Sequence, residues 1–185
     1  IVSIIINSHT HIKITIESQS TIHTLKQLEK GTLDIGLVAK PANQKLYKFL
    51  PVDEIEDIFV ATKDYLDNLR LREMDEDIFA TANIMLLDEE NISRIYINNY
   101  FKENNLTPKH ILEVSSMDLL IEFAKTGLGV ACVIKEFVHE ELKKGQLIQI
   151  PLKKPVNKRE VGFCYNHNSY LSNSMTKFID FITNG

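Results

Sequence analysis

The stretch that decides the fold is His11–Pro41, HIKITIESQSTIHTLKQLEKGTLDIGLVAKP. Ile12, Ile14 and Ile16 alternate with Lys13, Thr15 and Glu17, the period-two pattern of a strand with one polar face. Ser18-Gln19-Ser20-Thr21 then offers several N-caps, and Ile22, Leu25 and Leu28 recur at helical spacing. Gly31 stands where a residue in the left-handed region ends a helix. Leu33 to Ala39 resumes as an apolar run of strand length. Two strands joined by a helix of about ten residues are expected to lie parallel, with a right-handed crossover.

That grammar has a functional consequence. The turn Ser18–Thr21 falls between the carboxyl end of a strand and the amino end of a helix. Hydroxyls and free backbone N–H groups converge there, and the helix dipole favours negative charge. In open α/β sheets small ligands settle at such ends. Lys40, just past the second strand, is positioned to reach an anionic ligand.

The same grammar returns further along. Ile111–Val114 reads as a strand, Ser115-Ser116 as a hydroxyl turn, and Leu119, Leu120, Phe123 and Ala124 as the inner face of a helix stopped at Gly127. Val130–Ile134 is the next strand. Ser115-x-x-Asp118 is close to a capping box, which would engage Ser115 with its own helix. Between the two copies come strands at Leu46–Val52, Ile55–Ala61 and Ile84–Leu87, and a helix carrying Ile92, Ile95, Tyr96, Tyr100 and Phe101. The acidic triplet Asp88-Glu89-Glu90 sits at the amino end of that helix. Glu136–Lys144 reads as a helix stopped at Gly145, Leu147–Ile150 and Glu160–Asn166 as strands, and Ser172 or Asn173 as the cap of a terminal helix.

Composition excludes several classes. Of 185 residues, 44% are hydrophobic and 25% charged, which is globular. The net charge of −4 argues against nucleic-acid binding by this piece alone, since phosphate neutralisation needs clustered cations. Cys132 and Cys164 lie in apolar runs and read as buried thiols in a reducing, cytoplasmic setting. His9 and His11 lack a third ligand at metal spacing, so no metal and no cofactor are expected. No H-E-x-x-H, G-x-S-x-G, Walker loop or C-x-x-C is present, which leaves binding without bond breaking as the economical reading.

The run Leu25…Leu28…Gly31-x-Leu33-Asp34-Ile35-Gly36-Leu37-Val38 resembles the first half of the effector-binding domain of LysR-type transcriptional regulators. Glu113-Val114-Ser115-Ser116-Met117-Asp118-Leu119-Leu120, followed by Gly127-Leu128-Gly129-Val130-Ala131, is similar to a second segment of that family. The resemblance implies an α/β fold of periplasmic-binding-protein type 2, with two Rossmann-like lobes joined by a two-strand hinge. The lobes are expected at residues 1–81 plus 153–185 and at 82–152, with crossovers near Phe79–Ala82 and Pro151–Pro155. The family's first strand and its loop would lie ahead of Ile1. The resemblance further implies a small polar effector, anionic in character, held between the lobes by Ser18, Gln19, Ser20, Thr21 and Lys40 from one side and Ser115 and Ser116 from the other, with Val130 as apolar lining. It implies a homodimer of sensing domains, DNA contact only through an N-terminal region outside this sequence, and no membrane. A solute-binding protein of a transport system shares the two-lobe plan and is the alternative.

Overall fold

The computed structural model describes residues 14–41, 43, 45–72 and 77–184. The chain divides into two compact units: residues 1–53 with 160–185, and residues 54–159.

The first unit begins with α1 (Thr21–Lys30), capped by Ser20, whose hydroxyl accepts from the His23 amide at 3.3 Å. The helix ends as its sequence dictates. Gly31 takes φ 69°, its N–H bonds to Leu28 O and the Thr32 N–H to Gln27 O, which satisfies two otherwise orphaned carbonyls. Strand β1 (Gly36–Ala39) pairs antiparallel with β8 (Arg159–Asn166), and β8 in turn lies beside β2 (Tyr47–Ile55). Leu28, Val38, Tyr47 and Cys164 form the small core. The terminal helix α7 (Asn173–Asn184) is capped by Ser172, which accepts from the Met175 amide, and it sets Phe178 edge-on against Phe163 at 5.2 Å.

The alternating residues ahead of α1 do not form the expected parallel strand. Residues 14–20 carry no strand ladder, Ile16 is 73% exposed, and Ile12 lies outside the described residues. A period-two pattern becomes a strand only where an edge accepts it, and the sole ladder of β1 among the described residues is the one with β8.

The second unit is a five-stranded mixed sheet in the order β5-β4-β6-β3-β7. Here β3 is Asp57–Ala61, β4 Asn83–Leu87, β5 His110–Val114, β6 Val130–Ile134 and β7 Ile148–Gln149. Strands β5, β4 and β6 run parallel, and β3 lies antiparallel to β6 and β7. The inner strands β4, β6 and β3 are largely apolar on both faces, as a covered sheet requires, whereas the edge strands β5 and β7 are mostly exposed. Phe59, Ala61, Ile84, Leu86, Val130 and Cys132 face one side, where helices α2 (Lys63–Arg72), α3 (Ile78–Thr81) and α4 (Ile92–Glu103) bring Leu69, Phe79, Ile97 and Phe101. Ile58, Val60, Met85, Leu87, Ala131 and Val133 face the other, against Leu120, Ile121 and Ala124 of α5 (Met117–Lys125). The stretch expected as one helix over Glu136–Lys144 is broken at Val138 into a 3₁₀ turn, Lys135–Phe137, and a short α6, His139–Lys143.

The chain passes from the first unit to the second at Asp53–Glu54 and back at Arg159–Glu160, displaced from the crossovers expected near Phe79–Ala82 and Pro151–Pro155. Packing explains both displacements. Strand β3 is an interior strand of the five-stranded sheet, with every residue buried, so its whole length belongs with that sheet. At the return, Leu152 and Val156 tuck into the same core as Phe59 and Tyr100, which holds the chain in the second unit until Arg159. Both cysteines are buried and unpaired, and burial pushes the Cys132 thiol well above its ordinary value and the Cys164 thiol to about 11.

Candidate functional site

Parallel pairing fixes where chemistry can gather in the second unit. Strands β4, β5 and β6 all end on one edge of the sheet, and the register Asp57↔Ile134 brings the start of β3 to that edge too. Each strand end delivers polar groups. After Leu87 come Asp88–Glu90 and the cap Asn91, which accepts from the Ser93 amide at 2.9 Å. After Val114 come Ser115, exposed, and Ser116, whose hydroxyl accepts from the Leu119 amide at 3.4 Å and caps α5. The cap is therefore Ser116 and not Ser115, one residue along from the capping box expected. This leaves the Ser115 hydroxyl outside its helix's own bonding, while Ser116 keeps its proton to donate.

After Ile134, Lys135 bonds twice to the residue before β3: its N–H donates to Glu56 O at 2.9 Å and its ammonium to the Glu56 carboxylate at 2.8 Å. Phe137 beside it is 59% exposed. Asp57 is buried and receives the Arg159 guanidinium in a bidentate pair, at 2.7 and 2.9 Å. Arg159 also donates to Ser93 Oγ at 2.8 Å, and its guanidinium lies over the Tyr96 ring at 5.5 Å. Burial pushes the Asp57 carboxyl above its ordinary value, and the guanidinium opposes that shift. Nearby, the buried Arg94 donates to Leu87 O and to Glu113, at 2.8 and 3.2 Å.

In the first unit, Ser18, Gln19, Ser20 and Thr21 sit together at the amino end of α1. Ser20 is occupied as the cap, and Gln19 Nε2 donates to Gln27 Oε1 at 3.1 Å. Ser18 and Gln19 border a hollow of about 550 Å³ that runs between Ile14–Gln19 and β1, with Leu37 and Phe178 among its apolar walls. Lys40 is paired with the Glu160 carboxylate and so is already neutralised. Val130 is fully buried and pairs with Ile84 at the far end of its strand from Ser115, which removes it from the edge where the hydroxyls gather. Among the described residues no group of three or more His, Cys, Asp and Glu side chains is arranged to hold a metal ion, and no helix is long and apolar enough to cross a membrane.

Ser93, Asp57 and Arg159 are brought together by the fold and are not among the residues marked by the sequence pattern. Ser93 is a hydroxyl at a helix start after a strand, the same local signal as at Ser20 and Ser116, and it follows the acidic triplet Asp88–Glu90. The Asp57–Arg159 pair spans 102 positions and leaves no local mark.

A mixed α/β chain in two units, with hydroxyls at its helix starts, has the layout of a small-ligand-binding domain. Comparison with known proteins makes this specific: the whole chain, residues 1–185, matches the LysR substrate binding domain, and it belongs to that family. The family is one of effector-binding domains of transcriptional regulators with a periplasmic-binding-protein type 2 fold, not of enzymes. The chain is 21% identical over 172 residues to the HTH-type transcriptional regulator CzcR of Bacillus anthracis, covering 93% of this chain and 57% of that protein. It thus spans little more than half the length of that relative. Among solved structures, the effector binding domain of QuiR in complex with shikimate is 18% identical with a TM-score of 0.79, over 98% of this chain and 86% of that one. The CcmR regulatory domain of Synechocystis PCC6803 in complex with 2-PG is 14% identical with a TM-score of 0.82, over 98% and 86%. The family match favours the regulator over the transport reading.

Proposed function

We propose that this chain is the cytoplasmic sensing domain of a DNA-binding regulator and that its effector is a small polar, anionic metabolite. The polar side chains assigned to effector contact are those at the start of α1 (Ser18, Gln19, Ser20, Thr21) in the first unit and at the start of α5 (Ser115, Ser116) in the second. The observation that carries this reading is the carboxyl edge of β4, β5 and β6, where Ser115 stands exposed beside the free amides of a helix start. Such a start attracts oxyanions through its unpaired N–H groups and its dipole. The domains with shikimate and with 2-PG support the class of ligand. A ligand alters the regulator only by contacting one arrangement of the domain better than another.

Ser18 and Ser115 are the residues to change, because neither hydroxyl caps a helix. A thermal-shift screen of shikimate, small mono- and dicarboxylates and phosphate esters identifies a binder. Calorimetry on Ser18→Ala and Ser115→Ala is then expected to show an affinity lower by roughly tenfold each, the worth of one hydrogen bond to a charged group. Unchanged affinity in both variants would remove the site.

The sensing domain is further proposed to form a homodimer through the free edge of β5 and the adjacent α5. Ile111 and Leu112 on the strand and Leu119 and Phe123, one helical turn apart, are all at least 36% exposed. An edge strand flanked by apolar side chains is a ready pairing surface. Light scattering is expected to give twice the chain mass for the native domain and a single chain for Leu119→Glu/Phe123→Glu. A native domain of single-chain mass at high micromolar concentration contradicts the dimer.

A further inference from the structure

The segment Pro151–Arg159, PLKKPVNKR, holds four cations and no carboxylate, in a chain whose net charge is −4. It forms neither helix nor strand until Arg159, yet it is firmly seated. Leu152 packs on the core of the second unit and Val156 is buried in it. Two tyrosines of α4 fasten its backbone: Tyr100 donates its hydroxyl to Lys154 O at 2.7 Å, and Tyr96 donates to Asn157 O at 3.0 Å. Pro151 and Pro155 stiffen it further. Arg159 turns inward to Asp57. The three lysines turn outward: Lys153, Lys154 and Lys158 are exposed, and none has a carboxylate partner among the described residues.

Several lysines elsewhere on the surface are compensated. Lys40, Lys63, Lys125, Lys135 and Lys144 each lie against a carboxylate. The strap instead displays three exposed lysines without a carboxylate partner among the described residues, on a backbone held by packing and by two tyrosine hydroxyls. Leu152 and Val156 anchor the strap while its lysines face solvent, and a fixed backbone reduces the ordering needed on contact with a polyanion.

We propose that the Pro151–Arg159 strap is an accessory contact for the phosphate backbone of duplex DNA, separate from the effector site and from any sequence-reading region outside this chain. Phosphate contacts of this kind position a protein without reading bases, and they act by releasing condensed counterions. The sequence-level objection from net charge fails locally, because the acidic residues that set the total are absent from the strap.

Fluorescence anisotropy of this chain with a short mixed-sequence duplex tests the proposal. At about 20 mM salt the chain is expected to bind, with affinity falling roughly a hundredfold or more by about 200 mM salt, the dependence that three phosphate contacts produce. Lys153→Gln/Lys154→Gln/Lys158→Gln is expected to weaken binding at least tenfold at the lower salt and to flatten the salt dependence by about one log unit per lysine removed. Lys143→Gln/Lys144→Gln, on α6, serves as the control and leaves both unchanged. Circular dichroism confirms that the triple variant is folded, as three exposed substitutions allow. Absence of binding by the native chain at low salt, or native-like binding by the triple variant, overturns the proposal. Tighter binding of polyglutamate than of the duplex also overturns it and assigns the strap to an acidic protein segment.

Discussion

Asp57→Ala is expected to lower the stability of the domain by about 3–5 kcal/mol, because it leaves the Arg159 guanidinium buried without its counter-charge. Asp57 is 2% exposed and accepts both arms of the bidentate pair, so no solvent replaces the lost carboxylate. Urea denaturation should show the loss directly, and the melting temperature should fall by about 10 °C for a chain of this size. The energy belongs to the orphaned charge more than to the pair itself. An apolar double replacement, Asp57→Leu/Arg159→Met, is therefore expected to recover most of the stability, as buried pairs exchanged whole for hydrophobic side chains do elsewhere. A double variant as unstable as Asp57→Ala would show instead that the bonds to Ser93 and the stacking on Tyr96 carry the energy. The location gives the result functional weight, since Asp57 and Arg159 each stand within four residues of a passage between units.

The second large effect is expected at Gly162. A methyl group built there would meet the Leu50 carbonyl oxygen at 2.2 Å and the Leu50 carbonyl carbon at 2.9 Å. The obstruction is backbone, which cannot swing aside as a side chain does. Gly162→Ala is expected to cost about 1–3 kcal/mol, the range for an overfilled interior, and Gly162→Val more. Hydrogen exchange should localise the loss to β8 and β2, and chemical denaturation should give its size. A Gly162→Ala variant as stable as the native chain would mean that β2 and β8 separate at no energetic expense.

Much of this architecture was legible because it is periodic. The apolar strands of the five-stranded sheet, the helical spacing of α1 and α5, and the Gly31 terminus all follow from short-range patterns. The two hydroxyl-bearing helix starts were readable for the same reason, since a cap is a local contract between a side chain and an amide three residues on. What escaped depends on pairing across the chain. Ile14 and Ile16 have no neighbour to ladder with among the described residues, and an alternating pattern alone does not supply one. The motif around Gly129 marks Val130, and only the register with Ile84 shows at which end of its strand it lies. Lys40 offered a charge for a ligand, and Glu160, distant in sequence, takes it. The passages between units depend on pairing as well, since β3 looks like any strand until its partners are known.

The two sulfur atoms carry a consequence of their own. Cys132 and Cys164 are sealed from solvent, with burial holding both in the protonated form, whereas attack on a peroxide or on glutathione requires an accessible thiolate. Oxidants and thiol-alkylating reagents should therefore reach these two sulfur atoms only as the fold opens.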